Sequence, residues 1–313
     1  MRRALAWLLV ALCAAWVAIR LLGLERGFPL VPLVAFTPLA AAGALAVVVV
    51  VALLRELVPA LVAAVLALAL VATVVPRALG GPTEPDGRAG PALRVASANM
   101  HFGTGSADAL VALVRRERID VLSVQELTPG LARRLDGAGL AELLPERVGE
   151  PRRGGSGIVL YANVPLAGFA VPGRRRNPLA AASVRVPGGP EVQVVAVHPP
   201  PPQSRWSVAA WKQDLRALPA ATPDGPLRIL AGDFNATLDH AELRRLLDTG
   251  YEDAAAEVGA GLRATWPHGR RLPPPVAIDH VLADRRCGVR AFSVHPIPGT
   301  DHRAVVAEVV LPR

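Results

Sequence analysis

Between Ala4 and Pro76 only five residues carry a charge: Arg20, Glu25, Arg26, Arg55 and Glu56. They leave three apolar runs: Ala4 to Leu24 with Arg20 inside it, Gly27 to Leu54 with no charge in 28 residues, and Leu57 to Pro76 with none in 20. A hydrocarbon core of about 30 Å takes roughly 20 helical residues to cross, and a helix in a soluble core rarely stays uncharged on every face for that length. Residues 1–76 are therefore expected to form an all-α segment of three transmembrane helices, near 4–24, 28–54 and 57–76. The second is either one tilted helix or one interrupted around Pro29, Pro32 and Pro38. A cleaved signal peptide would account for the first run alone. Leu12 precedes Cys13 where a lipoprotein cleavage site wants a small residue, which argues against lipid attachment there.

Three crossings put the two ends of the chain on opposite sides of a membrane. With the start inside, everything after Pro76 lies outside. The charge rule adds little, because Arg2, Arg3 and Arg55 on one side balance Arg26, Arg77 and Arg88 on the other. The expected location is a cell membrane, multi-pass, with the C-terminal part extracytoplasmic. The 313 residues are 52% hydrophobic and 19% charged, with mean hydropathy +0.36, which excludes collagen-like and disordered classes and is too apolar for an ordinary soluble globule.

Residues 77–92, RALGGPTEPDGRAGPA, are rich in Gly and Pro, lack an apolar period and read as a linker. Residues 93–313 are enough for a single α/β domain. Formal charge is +3 through residue 90 and +5 beyond it, a mild excess that permits an anionic substrate or lipid head groups. The dense basic runs of a dedicated nucleic-acid binder are missing. Cys13 and Cys287 make no disulfide framework, and the sequence has no internal repeat, Walker loop, GxSxG elbow or CxxC metal motif.

The domain alternates short β-rich runs with helical ones. Strands are expected at 93–99, 121–125, 157–161, 181–186, 192–198, 227–231, 278–282, 289–295 and 304–311, and helices at 106–117, 205–218 and 240–248. Runs such as VQVVAV are apolar on both faces, which suggests sheets covered on both sides and a layered α/β sandwich. Nearly every side chain able to bind a cation or move a proton falls at a strand end: Asn99 after RVASA, Glu126 after DVLSVQ, His198 after VQVVAV, Asp233 and Asn235 in GDFN, Asp279 and His280 in AIDH, Asp301 and His302 in GTDH. Strand ends are rigid and open to solvent, where α/β sheets build their sites. One such carboxylate is ordinarily a turn former or cap. A series of them in one domain points to chemistry.

The order SxN, QE, a His after a strand, GDFN, DH and a final GTDH resembles the endonuclease/exonuclease/phosphatase superfamily, the fold of pancreatic-type deoxyribonuclease, abasic-site endonucleases, inositol polyphosphate 5-phosphatases and bacterial sphingomyelinases. The resemblance covers about Leu93 to Pro312 and none of the apolar runs. It implies a four-layered, DNase-like α/β sandwich and a metal-dependent hydrolase of ester or phosphoanhydride bonds. By the same resemblance Asn99, Glu126 and Asp301 fall on the metal side. Asp233 matches the acid that orients or deprotonates water, Asn235 the amide on a phosphate oxygen, and His198 a donor to phosphate or leaving group. Asp279 matches the acid of the penultimate strand and His302 the last His. His280 is read as structural.

The reaction asks for such groups on physical grounds. A phosphate ester repels hydroxide, so a site needs a cation on an oxygen and a positioned base for the water. Oxygen ligands with few His favour Mg²⁺, with Mn²⁺ possible in its place, over Zn²⁺. PPPPQSRW after His198 leads into a helix with Trp206 and Trp211, read either as a lip facing a lipid or sugar or as rings packed in the core. GRRRNP, 173–178, is either a grip for anionic groups or a solvated loop. Tethering near a bilayer raises the effective concentration of membrane phosphates. The expected substrate is thus a phosphorylated membrane lipid such as a polyprenyl diphosphate. In this the chain resembles membrane-anchored superfamily members of high-GC Gram-positive bacteria linked to glycopeptide resistance and undecaprenyl diphosphate dephosphorylation. A membrane-tethered endonuclease or phosphodiesterase on nucleic acid is the alternative, and a noncatalytic membrane sensor a third. No protein partner is expected.

Overall fold

The structure is a computed structural model that describes residues 1–85, 88–173 and 176–313. Four helices lead the chain: α1 (Arg2–Leu22), α2 (Leu30–Val34), α3 (Thr37–Leu53) and α4 (Leu57–Val74). The second apolar run, expected near 28–54 as one tilted helix or as one interrupted around Pro29, Pro32 and Pro38, is interrupted and forms α2 and α3. Pro38 lies in the first turn of α3, where its missing N–H costs nothing, and Thr37 Oγ1 donates to Val34 O at 2.7 Å. Small residues, Ala41, Ala44 and Ala67, let α3 approach α4 closely, with Cys13 of α1 and Leu70 completing the seam. By length and composition, α1 and the stretch Leu57–Ala78 could cross a membrane, and α3 is a shorter apolar helix. Only 22% and 28% of the two longer stretches are buried, so Leu5, Leu8, Leu12, Leu61 and Leu68 face outward.

The remainder is a sandwich of two six-stranded sheets. The first holds β1 (Ala89–Asn99), β2 (Val121–Gln125), β3 (Glu146–Glu150), β4 (Ile158–Ala162), β11 (Gly288–Pro296) and β12 (Arg303–Pro312), in the order β11-β12-β1-β2-β4-β3. The second holds β5 (Leu166–Gly168), β6 (Ala180–Arg185), β7 (Glu191–Val197), β8 (Leu227–Asp233), β9 (Tyr251–Asp253) and β10 (Asp279–Asp284), in the order β5-β6-β7-β8-β10-β9. Pairing is antiparallel except β1 with β2 and β7 with β8. Val95, Leu160, Val194, Ile229 and Val305 are among the side chains that meet between the sheets. The outer face of the first sheet is covered by α5 (Ala107–Glu117), α6 (Pro129–Gly137) and α7 (Leu140–Leu143), and that of the second by α8 (Arg205–Arg216) and α9 (Ala241–Leu247). A single-turn α10 (Ala254–Glu257) follows β9. The result is the four-layered α/β sandwich.

The segment read as a linker is largely ordered against the sandwich. Thr83 N–H donates to Val289 O at 2.8 Å, Val289 N–H donates to Thr83 Oγ1 at 2.9 Å, and Glu84 pairs with Arg290. Gly80 lies so close to Glu257 that a Cβ there would sit 2.0 Å from its carbonyl oxygen, which explains a glycine at that point. β1 begins at Ala89, so the sandwich starts before Leu93; Asp86 and Gly87 lie outside the described residues.

The N-terminal helices meet the sandwich around α9 and the loop before it. Val31 is fully buried within the helix layer over the second sheet, and Arg20, in the last turn of α1, and Arg77, in the 3₁₀ turn Val75–Ala78 after α4, both reach Asp239.

Candidate active site

The C-terminal ends of β1, β2, β7 and β8 and the N-terminal ends of the antiparallel β10 and β12 converge at one edge. Gly232 permits this on the second sheet, because a Cβ there would lie 1.9 Å from Val197 O of the neighbouring strand. Asp233 ends β8 and stands opposite Asp279 in register. Asn99 ends β1; its amide nitrogen is 3.1 Å from Glu126 Oε1 and 3.0 Å from Asp233 Oδ2, so one donor ties carboxylates from both sheets. Glu126 Oε2 accepts the Phe102 N–H at 2.6 Å. Asp233 Oδ1 accepts the Asn235 N–H at 2.8 Å, and Asn235 Nδ2 lies 3.3 Å from Oδ2.

Two imidazoles close the cluster. His198 Nε2 is 3.7 Å from both Glu126 Oε1 and Asp233 Oδ2. His302 places Nδ1 3.0 Å from Asp279 Oδ2 and Nε2 3.7 Å from Asp233 Oδ2. Asp301 stands at the rim, with Oδ1 4.0 Å from His302 Nε2 and 2.8 Å from His101 Nδ1, and Oδ2 held by Trp266 Nε1 and Arg270. Asn99, Glu126, His198, Asp233, Asn235, Asp279, Asp301 and His302 are thus one connected set, while His280 faces away. Its ring nitrogens bond Asp253 at 2.7 Å and Ala236 O at 2.8 Å.

The backbone is bent to build this cluster. Among the described residues six non-glycine positions have φ in the left-handed region, and His101, Phe102, Glu126 and Asn235 are four of them. Such conformations cost about 1–3 kcal/mol each and persist only where surrounding contacts fix them.

Burial and charge set different protonation states for the two histidines. Burial pushes His198 below its ordinary value, with the His302 charge adding to that and Asp233 opposing it, so His198 is neutral at pH 7. Burial also opposes charge on His302, but Asp279 and Asp233 outweigh it and raise the imidazole to about 10. Burial raises the Asp233 carboxyl, and Asp279 reinforces it against the two imidazoles. Burial likewise acts upward on Asp301, but His302, Trp266 and His101 hold its carboxyl below the ordinary value.

These charges decide where a cation fits. Ligand atoms of Asp233, Asp279 and His302 lie within 4.8 Å of one another. However, a protonated imidazole has no lone pair for a metal, and His302 is better described as an imidazolium between two carboxylates. The side formed by Glu126, Asn99 and Asp233 is different: its carboxylates are buried with an amide and a neutral imidazole, and no Arg or Lys pairs with them among the described residues. Three carboxylates against one imidazolium leave an unbalanced negative charge, and buried charge demands a partner. The Glu126 and Asp233 carboxylates give this side oxygen donors that suit a hard divalent cation, while the Asn99 amide turns its NH₂ to them and its oxygen to the His101 N–H.

Some supporting residues escape a motif reading. Ser97, Ser123 and Gln125 are fully buried and bonded to one another, and Ser123 Oγ donates across the sandwich to Ala231 O at 2.9 Å, pinning the two sheets beneath the cluster. Thr265 Oγ1 holds the Asp279 N–H, and Thr300 Oγ1 donates to Asn99 O while accepting the His302 N–H. Ser97, Ser123, Gln125 and Thr300 lie within the strand-end runs singled out in the sequence, but Thr265 does not. The two Trp residues divide: Trp211 is fully buried and donates to Phe234 O at 3.1 Å, whereas Trp206 is 89% exposed at the start of α8. In 173–178, Arg174 and Arg175 lie outside the described residues; the backbone N–H groups of Arg176 and Asn177 donate to Asp214.

A double sheet with an aspartate–histidine–aspartate array and a carboxylate–amide pocket at one edge defines a phosphoester hydrolase of the DNase-like class. Residues 96–302 match the family model described as Endonuclease/Exonuclease/phosphatase family, and the chain belongs to that family. Its members are metal-dependent hydrolases acting on phosphoester bonds, and this chain is such an enzyme. No curated protein matches in sequence. Similar solved structures include D. rerio TDP2 humanized by 14 mutations, at 16% identity and TM-score 0.56 over 70% of this chain and 98% of that one. An AP endonuclease from Archaeoglobus fulgidus aligns at 12% identity and TM-score 0.55 over 69% and 98% of the two chains. An endonuclease/exonuclease/phosphatase from Beutenbergia cavernae gives 21%, 0.54, 70% and 72%. At these identities the likeness is one of fold.

Proposed function

We propose that the chain is a membrane-anchored, Mg²⁺-dependent phosphoesterase that hydrolyses a phosphate ester or diphosphate of a membrane lipid, such as a polyprenyl diphosphate. The observation that carries this reading is the docking of the anchor: the ends of α1 and α4 bind Asp239, six residues after Asp233, so the site sits beside the segment that enters the bilayer. The outward-facing leucines of α1 and α4 support the membrane reading, since a soluble protein would bury them. With α1, α3 and α4 crossing in turn, Arg2, Arg3 and Arg55 lie at the end away from the sandwich and Arg26, Arg77 and Arg88 at the other, an even count, and the orientation proposed is a cytoplasmic start with an extracytoplasmic site.

Glu126, with Asn99 beside it, would hold the cation, and Mn²⁺ fits the same oxygen donors. When bound, the ion supplies Lewis-acid polarisation of a phosphoryl oxygen. Asp233, raised by burial and fixed by Asn99 and Asn235, orients the attacking water and accepts its proton. His198 and the Asn235 amide donate to phosphoryl oxygens. The His302 imidazolium, fixed in orientation by Asp279, opposes the charge that builds on the phosphoryl group. Asp301 sets the rim and holds His101.

The full chain in lipid nanodiscs with Mg²⁺ should release phosphate from polyprenyl diphosphate, and EDTA should abolish this until Mg²⁺ is restored. Asp233→Ala and His302→Ala should each lower kcat by about 10² to 10⁴. Nicking of plasmid DNA without phosphate release from the lipid would overturn the lipid reading in favour of a tethered nuclease. Full activity in either variant would remove its assignment.

A further inference from the structure

The segment from Phe234 to His240 leaves the active site and ends on the anchor. At its start, Asn235 is held in a left-handed conformation by Asp233 Oδ1, with its amide on Pro199 O at 3.1 Å. In the middle, Ala236 O accepts from His280. At its end, Asp239 is completely buried, and both carboxylate oxygens are taken by anchor residues: Oδ1 by Arg20 Nε at 2.7 Å and Arg77 Nη2 at 2.5 Å, Oδ2 by Arg77 Nη1 at 2.9 Å. Further bonds flank this one. Glu25 accepts the Ala241 N–H, Arg244 donates to both Asp239 O and Arg20 O, and Arg77 O accepts from Gly261.

We propose that Arg20, Arg77 and Asp239 form an ionic clamp through which the assembled anchor helices hold the catalytic loop in its working geometry. Arg20 lies in the last turn of α1 and Arg77, 57 residues on, in the 3₁₀ turn Val75–Ala78 that follows α4, so the clamp closes only when α1 and α4 end side by side on the sandwich. Its carboxylate is outnumbered. Two guanidiniums share that one buried carboxylate, and without its charge Arg20 and Arg77 repel one another across the junction; Arg244 stands beside them, donating to the Asp239 backbone carbonyl, with buried Glu25 also acting on its charge. The acid is kept charged: burial acts to raise Asp239, but Arg77 and Arg20 hold it below its ordinary value. A left-handed Asn235 persists only while its surroundings over-determine it, and the clamp is the far anchorage of the short loop that carries it. Arg20, Arg77 and Asp239 are positioning residues, acting through Asp233 and Asn235.

The clamp presupposes the phosphoesterase site but not its lipid substrate, so it is read on a small soluble phosphodiester, bis(p-nitrophenyl) phosphate, with the full chain in nanodiscs and Mg²⁺. Asp239→Asn, which keeps shape and loses charge, should lower kcat about 10- to 100-fold with KM nearly unchanged, as expected for a misplaced catalytic group. Hydrogen exchange should quicken in 234–241 and stay unchanged in β1 and β2. Arg77→Lys should retain more activity than Arg77→Gln. Arg26→Gln, which removes an exposed charge at the same helix end, should match the parent. If Asp239→Asn does not fold, Arg20→Gln and Arg77→Gln make the test, and together they should lose less than the product of their separate effects. Folded variants with parental kcat and exchange, or an equal loss in Arg26→Gln, would overturn the clamp. Failure of the parent chain itself on the soluble diester would instead strike at the phosphoesterase site.

Discussion

Two residues show how far chemistry and conformation can be separated. Asn235 supplies an amide to the site and also occupies a left-handed backbone position. Asn235→Gly and Asn235→Ala should both lose activity, but the Ala variant should be less stable by about 1 kcal/mol, because Gly adopts that conformation without a Cβ clash. Thermal melts of the pair test this, and equal stability would contradict the assigned strain. His302 has its ring pKa raised from 6.5 to about 10 against the cost of burial, by Asp279 and Asp233. A raised folded value means that its contribution to stability is complete below pH 6.5 and fades as pH climbs through about 10. Denaturant midpoints of EDTA-treated protein should therefore drop over that window, and more steeply than in His302→Gln. The candidate site residues were legible because each is a polar residue placed abruptly at the end of an apolar strand. The left-handed turns at His101 and Phe102, and the hydroxyls of Ser123 and Thr265, were hidden. Nothing in a single sequence distinguishes a Ser that bonds across a sandwich from one that faces water.

Among the elements, long runs with strong apolar patterning were readable, and edge elements were not. β2 lies where it was expected, while β8 continues two residues further, to Asp233 itself. β3, with the sequence ERVGE, is mostly exposed, and β5 and β9 have three residues each, too few for a periodicity to register. The helix α8 was expected, but the different fates of its two Trp residues follow from tertiary packing. Trp211 faces Phe234 and its carbonyl, whereas Trp206, in the first turn, faces outward. Trp211→Phe leaves that buried carbonyl unpaired and should cost about 1–3 kcal/mol in a denaturant melt. Trp206→Ala should leave stability within about 0.5 kcal/mol. On the lipid reading it should also raise KM for vesicle substrate without changing KM for a soluble diester.

At the scale of the molecule, composition separated an apolar segment from a polar domain, and the structure then joined them. A Gly- and Pro-rich stretch suggested independence, yet Thr83 and Glu84 pair along β11, and Ala89 to Pro91 belong to β1. A fragment starting at residue 91 loses these bonds and uncovers the site of Val31. It should melt below the full chain and turn over a soluble phosphodiester more slowly, and a fragment equal to the full chain in both would show the junction to be dispensable. The same rigid junction has a geometric consequence on the membrane reading. With both helix ends bolted to one loop, the catalytic edge stands at a set height above the leaflet. The enzyme then works as a depth gauge, cleaving only lipids whose phosphorus rides at that level and passing over those whose head groups hold it higher or lower.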